Sequence, residues 1–259
     1  MTLTSIEKVP ATSGSRVPAD GTPTLVQKPH RRAGGMVRAW LAVVFALAAA
    51  GFAADTRAEA LRILMLGDSL TAGYGLASRD ALPARLEAAL RDRGVDARAI
   101  DAGVSGDTTA GGLARLDWAL ADRPHAVIVA LGANDALRAI DPAVARTNLD
   151  RLLAALSERG LPVLLAGMLA PRNLGPEYGA RFDAIYPELA ERHGALLYPF
   201  LLDGVATVAG LNQADGLHPN EAGVEVIVER ILPSVLCLAI RTTHPAARLA
   251  AEQTRCADG

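Results

Sequence analysis

After Lys28 the chain contains no lysine, which removes Schiff-base and Ser-Lys chemistry from any domain downstream. Cysteine is nearly absent as well: Cys237 and Cys256 are the only two, and no C-x-x-C pair exists to suggest zinc or dithiol chemistry. Positive charge is not in excess, since 26 Lys+Arg stand against 28 Asp+Glu for a formal net charge of -2. Nucleic acid is therefore not an expected partner, because gripping a phosphate backbone requires a concentrated basic face. There is no G-x-S-x-G elbow, no G-x-x-x-x-G-K-[ST] loop and no H-E-x-x-H helix. No α/β-hydrolase arrangement, nucleoside-triphosphate site or metal centre is signalled, and neither a cofactor nor a metal is expected. What is present, 51% hydrophobic residues and 24 Gly in 259, excludes collagen and wholesale disorder and describes one ordinary globular domain with extensions.

Residues 1–35 are rich in Pro, Thr, Ser and Gly without apolar periodicity, and read as a disordered or over-extended N-terminus. From Ala39 to Ala54 runs an unbroken apolar stretch, preceded by Arg38 and followed by Ala58-Glu59-Ala60, a small-x-small cleavage pattern. Residues 36–60 are thus expected to be a secretory signal cleaved after about Ala60, giving a periplasmic or secreted protein that begins at Leu61. The alternative is an uncleaved inner-membrane anchor through residues 39–54, although that run falls short of the about 20 residues a spanning helix needs. Arg31-Arg32 is only a weak twin-arginine hint, and no Cys is placed to carry a lipid. Export permits a disulfide, yet Cys237 ends an apolar helical pattern and Cys256 lies in a polar tail, so two unrelated thiols are expected.

From Leu61 onward short aliphatic runs alternate with helical patterns. Leu61 to Leu66, Ala97 to Ile100, Ala126 to Leu131, Pro162 to Met168 and Ala195 to Leu197 read as strands. Leu82 to Arg93, Thr109 to Ala121, Pro142 to Arg159, Tyr178 to His193 and Glu221 to Cys237 carry helical spacing, with Gly94, Gly160 and Gly194 placed as left-handed helix ends. Alternation of this kind implies right-handed crossovers: an α/β fold, a three-layer α/β/α sandwich around a central parallel sheet of about five strands, flavodoxin-like. Residues 61–237 are the expected domain and 238–259 a flexible tail.

Ligands of open α/β sheets bind beyond the carboxyl ends of the strands. Ser69 follows the first strand, Gly103 the second and Asn134 the third, and Asp215-Gly216-Leu217-His218 precedes the last helix and crosses the same edge. Singly these are a helix cap, a turn glycine, an Asx-turn and a solvated turn. Together they are a nucleophile, a base with its orienting carboxylate, and donors for an oxyanion. His125, His193 and His244 read as surface or capping residues. A flavodoxin-like binding module is the rival reading, with Ser69 to Gly73 as a phosphate cradle, but it gives Asn134, Asp215 and His218 nothing to do.

Gly67-Asp68-Ser69-Leu70, Gly103, Gly132-x-Asn134-Asp135 and Asp215-x-x-His218, in that order, resemble the four blocks of the SGNH (GDSL) hydrolases. Ser105-Gly106-Asp107-Thr108, Ala184-Ile185-Tyr186-Pro187 and Leu217-His218-Pro219-Asn220 extend the resemblance to the periplasmic subgroup of thioesterase I, lysophospholipase and arylesterase, over about residues 61–235. The resemblance implies an esterase or thioesterase in which Ser69 is the nucleophile, His218 the general base and acid, and Asp215 its orienter. The oxyanion hole it implies combines Ser69, Gly103 and Asn134. Asp68, Asp135, Arg172, Asn173 and Tyr178 are the expected substrate contacts, the last three in a loop similar to the subgroup's loop beside the acyl pocket. Ala133 and Ala136 stand where this subgroup commonly has glycine. The expected partner is a small-molecule or lipid acyl ester, with lysophospholipids and acetylated carbohydrates as alternatives. Transient membrane contact is left open, and a monomer is favoured.

Overall fold

The strand β1, Leu61–Gly67, is buried along its whole length except at Arg62, as a strand covered by helices on both faces must be. It pairs in parallel with β2 (Ala97–Gly103) on one side, in register from Leu61 against Ala97 to Gly67 against Gly103, and with β3 (Ala126–Ala130) on the other. β4 (Val163–Ala166) and β5 (Leu196–Tyr198) complete a five-stranded parallel sheet in the order β2-β1-β3-β4-β5. The computed structural model describes residues 59–246 together with 248, 251 and 256. The order reverses direction between β1 and β3, so the chain leaves these two strands toward opposite sides and opens a crevice at their carboxyl ends. This is the three-layer α/β architecture expected from the sequence.

Helices start at the expected caps Asp141 and Asn220. α1 (Ser69–Ala72) is a single turn after β1. α2 (Leu82–Asp92) follows, and between β2 and β3 lie α3 (Thr109–Ala114) and α4 (Leu116–Ala119). After α5 (Ala133–Leu137), α6 (Pro142–Glu158) starts on the Asp141 cap, whose carboxylate accepts from Ala143 N, with Pro142 at its first position. α7 (Pro176–Asp183) and α8 (Ile185–His193) precede β5, and α9 (Glu221–Ile240) closes the domain. α2 packs against α9, and α6 against α3 and α8. Gly94, Gly160 and Gly194 all have positive φ, as helix-ending glycines do.

β4 ends at Ala166 rather than Met168, and three further boundaries move for reasons the contacts show. The single helix expected over Tyr178 to His193 is two, because Pro187 has no N–H to give the carbonyl of Asp183 and the ladder restarts at Ile185. The helix expected from Thr109 to Ala121 breaks at Arg115, whose guanidinium turns back to Asp107 Oδ2 (2.6 Å) and the Gly67 carbonyl (2.8 Å). β2 runs three residues further than predicted, to Gly103, because its pairing with β1 continues past the apolar run.

The tail also departs from expectation. α9 continues to Ile240, Arg241 Nη1 donates to the Gly194 carbonyl at 2.7 Å, and the His244 ring lies 4.7 Å from that of His125. Cys237 and Cys256 are joined in a disulfide, with Cα atoms 5.5 Å apart, rather than being two unrelated thiols. The disulfide brings Cys256 back to the last turns of α9, a pairing that no apolar period announces. The leader readings for residues 1–35 and 36–60 lie outside the described residues except at 59 and 60. Among the described residues no helix is long and apolar enough to cross a membrane.

Candidate active site

The site begins where β1 stops. Gly67 cannot carry a side chain, since a Cβ there would sit 2.0 Å from Thr71 Oγ1, and so α1 folds directly back onto the strand end. Asp68 caps that turn: its Oδ1 accepts from Leu70 N at 3.0 Å and its carbonyl from Ala72 N at 3.0 Å. Gly73, with φ of 70°, ends the turn in the left-handed region. Ser69 is thereby fixed at the first position of a one-turn helix, at the mouth of the crevice.

His218 arrives from the other side on a turn organised by Asp215. Asp215 Oδ1 accepts from Leu217 N at 2.9 Å and His218 N at 3.0 Å, while Oδ2 faces His218 Nδ1 at 2.6 Å. The hydrogen bond from the imidazole, and after it those from the two amides, hold the Asp215 carboxyl down at about 2. His218 Nε2 then reaches Ser69 Oγ at 3.0 Å. The ring is flanked by Tyr74 at 4.6 Å between centroids, and Gln213 Nε2 ties the Tyr74 carbonyl to that of Pro219. The structure therefore brings Ser69, His218 and Asp215 into one hydrogen-bonded line.

Asn134, in the first turn of α5, donates from Nδ2 to Asp68 Oδ2 at 3.1 Å and lines the crevice beside Ser69. Asp68 is fully buried, and that burial raises its carboxyl to about 6 against the opposing pull of the Leu70 and Asn134 hydrogen bonds.

Gly103 is a correction. Its N–H donates to Asp101 Oδ1 at 2.8 Å, and a Cβ on it would lie 2.3 Å from Ala72 N. It is a close-packed floor under α1, with its amide already spent, and not a donor into the crevice. The next glycine, Gly106, sits in the following turn with φ of 83°, its carbonyl held by Arg138 Nη2 at 2.7 Å. Its N–H has no acceptor among the described residues. The sequence contained this signal in Ser105-Gly106-Asp107-Thr108, but ending β2 at Ile100 made Gly103 look like the loop glycine.

The expected substrate contacts divide. Asp68 and Arg172 line the crevice, Arg172 while paired to Asp183 at 2.9 Å. Asp135 does not: it is buried and accepts from Thr109 N (2.8 Å) and Oγ1 (2.7 Å), pinning the start of α3. Asn173 is exposed outside the crevice, and Tyr178 donates its hydroxyl to the Ile140 carbonyl at 2.8 Å, away from it. The crevice itself deepens into a mainly apolar cavity of about 550 Å³ walled by Leu70, Met168, Pro171, Phe200, Leu202 and Leu217. Sequence reading missed Met168, Phe200 and Leu202, which follow β4 and β5 at the same sheet edge but carry no polar signature. Among the described residues no group of three or more His, Cys, Asp or Glu converges as a metal site requires.

Residues 65–226 match the model of the GDSL-like Lipase/Acylhydrolase family. "Esterase TesA" of Pseudomonas aeruginosa is 40% identical over 180 residues, 69% of this chain and 90% of that protein. "Arylesterase" of Vibrio mimicus is 38% identical over 190 residues, covering 73% and 92% respectively. Among solved structures, AlinE4, described as an SGNH-hydrolase family esterase, aligns with a TM-score of 0.60 and 50% identity over 70% of this chain and 97% of its own.

Proposed function

The chain belongs to the GDSL-like lipase/acylhydrolase family, and on that footing we propose that it hydrolyses carboxylic esters of acyl chains, and thioesters, through an acyl-enzyme on Ser69. His218 Nε2 takes the Ser69 proton as Oγ attacks the carbonyl carbon, and Asp215 stabilises the imidazolium that forms. The imidazolium then returns the proton to the departing alcohol or thiol. Water repeats the sequence on the acyl-enzyme, freeing the carboxylic acid and Ser69. The oxyanion is met by the Ser69 amide and by Asn134 Nδ2, and the open Gly106 amide supplies the backbone donor that Gly103 does not.

The observation that carries this reading is the unbroken line Ser69 Oγ, His218 Nε2, His218 Nδ1, Asp215 Oδ2, at 3.0 and 2.6 Å, standing at the mouth of an apolar cavity. That cavity accepts the acyl chain, and the exposed rim residues Leu137, Leu169 and Leu217 favour lipid esters, met in transient contact with a membrane surface. Export of the monomer after removal of residues 1–60 accords with the apolar run and the Ala58-Glu59-Ala60 site.

Hydrolysis of p-nitrophenyl esters from acetyl to palmitoyl, run beside Ser69→Ala, tests the reaction. Turnover that vanishes in the variant is the expected result. Undiminished turnover in Ser69→Ala removes the acyl-enzyme. Finding residues 36–60 intact in the exported protein by mass spectrometry removes the cleaved leader.

A further inference from the structure

We infer that Asp68 is a positioning residue for acyl transfer, its carboxylate orienting the Asn134 amide so that one Nδ2 hydrogen is held on Asp68 and the other is aimed into the crevice. The inference rests on the reading of Ser69 and Asn134 given above. Each Asp68 oxygen has its own donor: Oδ1 takes Leu70 N at 3.0 Å and Oδ2 takes Asn134 Nδ2 at 3.1 Å. A helix cap needs only the first of these, and a neutral Asn or Ser provides it without placing a carboxylate in a fully buried site. The second oxygen is what a carboxylate adds.

An asparagine amide is nearly symmetric in shape, with an acceptor at one end and two donors at the other. An ionised carboxylate accepts only, so it admits the nitrogen end of Asn134 and rejects the oxygen end. With one hydrogen on Asp68, the planar NH2 group points its second hydrogen away from Asp68, and Asn134 lines the crevice that Ser69 enters. Once Asp68 is protonated it can donate, the discrimination is lost, and the amide is free to turn over. The charged and titratable groups near Asp68 are His218 from the turn before α9, Tyr186 from α8 and Arg115 at the end of α3, whose Nη2 holds the Gly67 carbonyl. The Tyr186 hydroxyl is committed to the Leu131 carbonyl at 3.0 Å, leaving Asp68 as the carboxylate that faces Asn134.

Asp68→Asn preserves volume and the acceptor for Leu70 but sets an NH2 group against the Asn134 amide. It is expected to lower kcat about 100-fold, at the lower end of losing one oxyanion donor, with little change in KM. Asp68→Ser, which keeps a cap but cannot reach Asn134, should lose a similar factor. In an Asn134→Ala background the Asp68→Asn change should cost less than about threefold further, since residues acting through one another are not additive. Equal losses in the two backgrounds overturn the inference and leave Asp68 as a cap. A readout that needs no turnover is the Asn134 side-chain amide pair in a nitrogen–proton NMR spectrum. It should shift with pH in the parent protein and not in Asp68→Asn, and identical signals in both overturn the inference even if no ester is cleaved. Absence of any esterase activity in the parent, by contrast, overturns only the assignment of the reaction.

Discussion

Asp215 holds His218 by backbone and ring at once: Oδ1 accepts the His218 amide at 3.0 Å while Oδ2 faces Nδ1 at 2.6 Å. One carboxylate therefore sets both the turn on which the histidine stands and the tautomer of its ring, leaving Nε2 with a lone pair toward Ser69.

Replacing Asp215 by Asn should leave the fold intact and lower kcat by roughly 10³- to 10⁴-fold, because an amide facing Nδ1 favours the wrong tautomer. The charge state of Asp215 follows from the same contacts. The Asp215 carboxyl is held at about 2, below its ordinary 3.8, by the imidazole hydrogen bond first and the two amides next. For a lowered carboxyl the stabilising contact is complete above the ordinary value and fails only as pH drops through about 2. Asp215 should thus stay ionised throughout the range in which esters are assayed, and its carboxyl signal in an NMR titration from pH 7 to pH 4 should not move. An Asp215 carboxyl that titrates between pH 4 and 7 contradicts the contact to His218.

Asp68 has the opposite sign. Its carboxyl is raised to about 6 by burial, so between pH 4 and 6 the folded protein keeps a proton that the unfolded chain releases. Stability contributed by this group therefore falls as pH rises through that window, by about 3 kcal/mol in all. Urea midpoints of the parent and Asp68→Asn, measured at pH 4 and pH 7, isolate it. The difference between the two proteins should shift toward the variant on going to pH 7, and a difference independent of pH contradicts the buried, raised carboxyl.

The architecture and the Asp215–His218 pair were legible in the sequence because both depend on local pattern. Apolar runs such as Val127-Ile128-Val129 with capped helices between them dictate a covered parallel sheet, and Asp215 and His218 lie within one turn. What escaped depends on chain geometry at a distance. Gly103 is the last residue of β2 and Gly106 lies in the turn beyond it, and only the length of β2, set by pairing with β1, shows which amide is free. Asp135 and Tyr178 are polar residues near the motifs, yet their partners, Thr109 and the Ile140 carbonyl, come from other segments and draw them off the crevice. The Cys237–Cys256 pairing needs a reversal after α9 that apolar periodicity does not encode.

That pairing carries a prediction of its own. The two cysteines are separated by 19 residues, and closing a loop of this size restricts the unfolded chain by about 3 kcal/mol. α9 begins beside the site and runs antiparallel to the strands, and the residues after it meet His125 and Gly194, which precede β3 and β5. The bridge therefore stands at the end of the sheet opposite Ser69. Cys256→Ser should lower the melting temperature by several degrees while leaving kcat for a short ester within about twofold. A large loss of turnover at a temperature where the variant stays folded contradicts that separation.

The cavity allows the acyl chain to be read from its walls. Leu202 and Phe200 line it from the segment after β5, whereas Ser69, His218 and Asn134 stand at its mouth. A larger side chain at Leu202 narrows the space for methylenes without touching the reacting atoms, and each methylene excluded from an apolar pocket costs about 1–3 kcal/mol in transition-state binding. Leu202→Trp should therefore leave acetyl ester hydrolysis within a few-fold of the parent and reduce kcat/KM for octanoyl and longer esters by at least about tenfold. Phe200→Ala, which enlarges the same space, should move the optimum toward longer chains. If both variants change all chain lengths by one common factor, the acyl chain lies elsewhere, and the apolar rim at Leu137, Leu169 and Leu217 becomes the surface along which it runs.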